Sequence, residues 1–165
     1  MKILIIILLF LVTSCNNPFA PALNSGTNNH GFLGDKTTVD GIFQNWKYAY
    51  QFKDSVVYGN LLEDNFIFTY KNNDKGIDQS WNREQEMLTT YRLFTAAQNM
   101  DLVWNESVIS YGDTTFREIS RGFSLRVVFS PSDIIQIQGR ATIELTRLNT
   151  FSIWKIKSWR DESNF

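Results

Sequence analysis

A carboxylate, two phenols and two guanidiniums stand where they could work together. Asp54 lies between Tyr50 and Tyr58, so a base and a hydroxyl donor fall within about one helical turn of each other. A carboxylate desolvated by aromatic walls has a raised pKa suited to proton transfer. Tyr50 or Tyr58 would then donate to an oxyanion, and Arg126 or Arg140 would orient an anionic group, the chemistry of an isomerase or a hydrolase. Asp54 also reads as the N-cap of a short helix, because an Asp-Ser pair before an apolar run needs no other explanation. A second set is aromatic. Trp46, Tyr50, Trp81, Tyr91 and Trp104 combine flat apolar faces with polar tips, which suits a pocket for a small apolar ligand or a protein partner. The same spacing also simply fills a core. Neither a metal nor a cofactor is expected. Cys15 is the sole cysteine and His30 the sole histidine, and Asn72, Asp74, Gly76 and Asp78 imitate a calcium loop with the glycine misplaced and Arg83 where its closing glutamate would stand.

These residues need elements to hold them. Val39, Ile42, Phe43, Trp46 and Tyr50 recur at helical spacing, predicting a helix to about Phe52, capped by Thr37 or Thr38. A short helix is predicted over Val56 to Leu62 and a strand over Phe66 to Tyr70, followed by a polar loop over Asn72 to Ser80. Asn82 opens a third helix with Gln85 completing a capping box, and Met87, Leu88, Tyr91 and Phe94 form its expected inward stripe. After Gln98 the period becomes two. Strands are expected over Leu102 to Val108, Thr115 to Phe129, Ile135 to Leu145 and Phe151 to Asp161. Perfect alternation in the second of these would put Arg117 and Arg121 on the apolar face, so a bulge is expected at Gly122. The third has a polar row, Gln136, Gln138, Arg140, Thr142 and Glu144, suited to a wet homodimer interface. Helices first and long strands after them make an α+β domain, the N-terminal helices packed in a strongly bent antiparallel sheet.

Composition bounds the partners. The 165 residues are 43% hydrophobic and 15% aromatic, enough for one sizeable core, and the formal charge of -1 without a basic block argues against nucleic acid. Residues 1–14 read as a leader, with Lys2 ahead of an apolar run from Ile3 to Val12 that is too short to remain as a membrane span. Val12-Thr13-Ser14-Cys15 resembles the bacterial lipobox, which implies acyl chains on Cys15 and an anchor in the membrane. Asn16 in place of an inner-membrane retention aspartate points to the outer membrane facing the periplasm, although a Gram-positive surface lipoprotein would carry a similar signal. Residues 15–36 read as a flexible tether and residues 37–165 as the folded domain.

The order helix, short helix, strand, helix and four long strands, closing on Trp154-Lys155-Ile156-Lys157-Ser158-Trp159-Arg160-Asp161, resembles the nuclear transport factor 2-like superfamily. Asp54 ahead of the leucine-bearing segment ending Asp64-Asn65-Phe66 belongs to the same resemblance. It implies a cone in which a bent sheet wraps the first helix and leaves a pocket at its open end. Members range from isomerases and dehydratases to binding and dimerisation modules. The Asp/His pair of the dehydratases has no counterpart in residues 37–165, and the isomerase and epoxide hydrolase sets do not match residue by residue. A lipid-anchored envelope domain that binds without chemistry is the expected function, with the Asp54 enzyme and a structural dimerisation module as the alternatives.

Overall fold

A computed structural model describes residues 32–73 and 75–163, with residues 106–108 described by their backbone alone. The expected leader, Cys15, His30, Asp74 and the tether as far as residue 31 lie outside the described residues. No helix among the described residues is long and apolar enough to cross a membrane.

Helix α1 spans Val39–Phe52 and buries the predicted stripe, with Ile42, Phe43, Trp46, Ala49 and Tyr50 all inside. Thr38 caps it by accepting from the Gly41 amide, and Lys53 ends it in the left-handed conformation. The folded body starts before Thr37, because the end of the expected tether is clamped onto α1. Buried Asn45 accepts from the Gly34 amide at 2.7 Å and donates to the Gly34 carbonyl at 3.0 Å. Gly41 permits this approach, since a Cβ there would stand 1.9 Å from the Asp35 carbonyl oxygen.

Helix α2 is shorter than expected, Ser55–Gly59, and Leu61 and Leu62 leave it to enter the core. Strand β1, Leu62–Asn72, pairs with β2, Ile77–Asn82. The sequence predicts a loop over most of β2, because this edge strand is exposed and polar at alternate positions and has no apolar period to read. Helix α3, Arg83–Ala96, has the predicted capping box of Asn82 and Gln85. Its buried stripe is Glu86, Thr90 and Phe94, with Met87 and Leu93 partly buried against the core. Leu88 and Tyr91 instead face water, 49% and 58% exposed. A carboxylate has taken a place that the pattern reserves for hydrophobes.

Strands β3 (Asn99–Gly112), β4 (Phe116–Ser130), β5 (Asp133–Thr146) and β6 (Lys155–Asp161) complete one strongly curved sheet ordered β2-β1-β6-β5-β4-β3. All neighbours are antiparallel except β1 and β6, which are parallel. The sheet is therefore mixed, a difference from the all-antiparallel expectation. Strand β6 also starts later than predicted, leaving Phe151 to Trp154 in the connecting loop. The bulge lies on β3, where the register shifts between Trp104 and Ile109, while β4 runs past Gly122 against β5 without a break. Arg121 consequently stays in the inward row. Its guanidinium lies over the Phe43 ring, 4.6 Å from the centroid, and donates to the carbonyl of Asn105 on the bulged segment. The bulge turns a backbone acceptor towards the charge that alternation had brought inward.

Candidate functional site

The inward row of β5 is buried in its second half, at Ala141, Ile143 and Leu145, whereas Ile135 at the start of the predicted strand is 45% exposed. Gly139 continues that row, and Ser163 covers it so closely that a Cβ there would meet the Ser163 Cβ at 2.4 Å. The space between α1 and the sheet is filled mainly by rings. Trp46, 1% exposed, has Trp159 at 5.0 Å, Trp104 at 5.1 Å and Tyr58 at 6.0 Å between centroids. What is left is a cavity of about 20 Å³ walled by Trp46, Tyr50, Trp104, Trp159, Phe123 and two leucines, Leu102 and Leu125. The Nε1 atoms of Trp104 and Trp159 are buried with no hydrogen-bond partner among the described residues. Buried donors without acceptors are uncommon, and each costs about 1–3 kcal/mol.

Beside this cavity is the one buried carboxylate among the described residues, Glu86, 3% exposed. Its Oε1 accepts from the Tyr58 hydroxyl at 2.6 Å and the Thr90 hydroxyl at 3.0 Å, and its Oε2 accepts from Trp81 Nε1 at 2.6 Å. Helix α3 presents Glu86 and Thr90 one turn apart, α2 supplies Tyr58 and the end of β2 supplies Trp81. Burial first, then the charge of Glu86, raises the Tyr58 hydroxyl well above its usual pKa. Tyr50 shifts in the same direction for the same two reasons, against opposing hydrogen bonds to Trp46 and Tyr58.

Both folded pKa values lie above the unfolded value of about 10, so the native state keeps protons that the unfolded chain releases. Their contribution to stability is intact below pH ~10 and is lost as the pH rises beyond it. Two such groups give a slope of up to about 2.7 kcal/mol per pH unit. Urea unfolding between pH 8 and 11.5 measures this, and a midpoint that does not fall above pH 10 would contradict the two buried phenols.

The predicted site residues separate into groups. Trp46, Tyr50 and Trp104 line the cavity. Trp81 stacks on Phe68 at 4.4 Å and serves Glu86. Asp54 caps α2, accepting from the Val56 and Val57 amides at 3.0 and 2.9 Å. Tyr91 is exposed on α3, and Arg126, like Arg140, is exposed on the polar outer row of its strand. The base, phenol and guanidinium of the enzymatic reading are therefore not brought together. Sequence reasoning missed Trp159 and Glu86. The spacing of Trp159 in β6, two residues from Lys157 and three from Ile156, hides its inward turn, while the i, i+4, i+8 spacing of Glu86, Thr90 and Phe94 was the available signal for the carboxylate.

Two larger clefts lie elsewhere. One, about 640 Å³, runs between the Leu33–Lys36 segment, Asn45, Asn60 and Ile153. The other, about 570 Å³, lies below the β5–β6 loop beside Arg147 and Lys155. Among the described residues no group of three or more His, Cys, Asp or Glu side chains could hold a metal ion.

No protein-family model and no curated protein matches the sequence. Solved structures match the fold at low identity. The Kfla4162 protein of Kribbella flavida superposes with a TM-score of 0.66 at 10% identity, over 79% of this chain and 91% of that one. A candidate scytalone dehydratase from Novosphingobium aromaticivorans gives 0.66 at 10% identity, over 77% and 82%. An NTF2-like protein of unknown function in nutrient uptake from Rhodospirillum rubrum gives 0.61 at 12% identity, over 78% and 99%. The curved mixed sheet wrapped on α1 is thus the cone of the nuclear transport factor 2-like fold.

Proposed function

We propose that this domain binds a small, largely apolar ligand carrying a hydrogen-bond acceptor in the aromatic cavity of the cone, performs no chemistry on it, and is held at the cell envelope by acyl chains on Cys15. The observation that carries the binding reading is the pair of unpartnered indole donors, Trp104 and Trp159, on the wall of one cavity. A ligand acceptor that reaches either indole would satisfy a donor that has no partner in the free protein. The cavity as it stands has room for about one water molecule. A larger ligand enters by turning Trp104 or Trp159, which are only partly buried, while Trp46 and Phe123 stay fixed behind them.

The absence of chemistry is supported by the state of the carboxylates. Asp54 is committed to a helix cap and Glu86 to three donors, so neither is free to take a proton from a ligand. The described residues contain no histidine to act in their place. Envelope attachment is supported by the Val12-Thr13-Ser14-Cys15 motif after its apolar leader.

Titrating the protein with fatty acids and aromatic carboxylates, read by tryptophan fluorescence, tests the binding. Quenching with micromolar to millimolar midpoints is expected. Trp104→Phe and Trp159→Phe should each weaken binding about three- to tenfold, the value of one hydrogen bond, while removing a donor that was unpaired in the free protein. A library that produces neither quenching nor a thermal shift would refute ligand binding in the cone.

A further inference from the structure

The loop between β5 and β6 carries Leu148 and Phe151, the most exposed large apolar side chains among the described residues at 92% each. The loop is built to hold them outward. Asn149 accepts from the Phe151 amide at 2.9 Å through its side chain and from the Ser152 amide at 3.0 Å through its carbonyl. Arg147 donates to the Thr150 carbonyl at 3.0 Å, and its guanidinium lies 4.2 Å from the centre of the Trp154 ring. A fixed loop that keeps leucine and phenylalanine in water gains nothing from hydrophobic burial within its own fold.

The N-terminal end of the described chain joins the body beside this loop. The Trp154 amide donates to the Lys36 carbonyl at 2.8 Å, and Arg147 donates to the Thr37 carbonyl at 3.3 Å. Basic side chains collect there too. The cleft under the loop has Arg147 and Lys155 on its wall, and its one acid, Glu63, accepts from the Thr146 hydroxyl. Burial first, then the charges of Lys36 and Arg83, lowers the Lys155 ammonium from its usual pKa, against the opposing pull of Asp64 and Glu63.

We infer that the β5–β6 loop docks on an anionic phospholipid bilayer, with Leu148 and Phe151 entering the interfacial layer and the charges of Arg147 and Lys155, held in place by backbone carbonyls, attracting the anionic surface from behind them. The inference takes its bilayer from the acylation proposed for Cys15. The chain from Cys15 to Phe32 reaches at most about 60 Å when extended, so the anchor alone would let the domain tumble near the surface. The loop gives it one orientation. Tyr50 lies about 18 Å along α1 from the Thr38 cap, so the aromatic cavity would be held away from the lipid.

A chain of residues 16–165 retains every residue that the structure describes and lacks the leader and the acyl group. Co-sedimentation of this chain with phosphatidylglycerol-containing and pure phosphatidylcholine vesicles is the test. Binding to the anionic vesicles is expected, weakened by salt and lowered roughly tenfold or more by the double variant Leu148→Ser/Phe151→Ser. The melting temperature of that variant should not change, because both side chains are exposed. A chain left in the supernatant would overturn the inference and assign the loop to a protein partner. Equal binding to neutral vesicles, or by the double variant, would also overturn it. Mass analysis of the full chain extracted from membranes reads acylation separately. An acylated full chain whose 16–165 form ignores vesicles defeats the loop alone, and a binding 16–165 form from a chain without acyl groups defeats the anchor alone.

Discussion

Replacing Glu86 with alanine is expected to cost about 3–5 kcal/mol, a large share of the 5–15 kcal/mol that holds a domain of this size together. The carboxylate is buried and receives three protein hydrogen bonds, from buried Tyr58 on α2, buried Thr90 on its own helix and half-buried Trp81 on β2. Alanine removes the acceptor and leaves those donors in the core, each losing about 1–3 kcal/mol. Glu86→Gln keeps the volume and one acceptor oxygen, but its amide presents hydrogens either to Trp81 or to the two hydroxyls. Its cost should be intermediate, about 1–3 kcal/mol. Urea unfolding with an unchanged m value would measure both. An alanine variant within about 1 kcal/mol of the parent would mean that α2, β2 and α3 are held by ring packing alone.

How far these features could be read from the chain depended on whether one face of an element was dry and the other wet. Helix α1 was legible because Ile42, Phe43, Trp46 and Tyr50 sit on one stripe opposite Gln44, Lys47 and Gln51. Strand β5 was legible for the same reason at period two. Helix α3 was not, because its inward stripe is built on a glutamate and a threonine whose burial is made tolerable by groups far away in the sequence. Strand β2 was lost because one of its faces is polar throughout and the other carries Gln79 between Ile77 and Trp81, too short a row to show a period. The bulge lies on β3 and not at Gly122 of β4. Alternation brings Arg121 inward and the cost of burying a charge argues against it, and only the opposite strand could show that the Phe43 ring and the Asn105 carbonyl receive it. Of the aromatic wall, Trp46, Tyr50 and Trp104 were readable, and Trp159 and the unpartnered donors were not. The fate of an indole N–H is set by what packs against it, and spacing carries no record of that.

The same aromatic wall supplies the second large effect. Trp46 is the ring on which the cone closes, in edge-on contact with Trp104 and Trp159 and tilted against Tyr58. Trp46→Ala removes the side chain that joins α1 to β3 and β6, and the surrounding rings are too large and too interlocked to collapse into the space. A loss of about 3–5 kcal/mol is expected from transfer and cavity terms together. Trp46→Phe, which keeps a ring against Trp104 and Trp159, should lose clearly less. The vacated volume is continuous with the existing cavity, which Trp46 helps to wall. Indole added to the alanine variant should therefore bind there and raise its melting temperature, without shifting that of the parent. No shift in the alanine variant would mean that the rings around Trp46 relax into its place, and an equal shift in both would mean that indole binds outside the vacated volume.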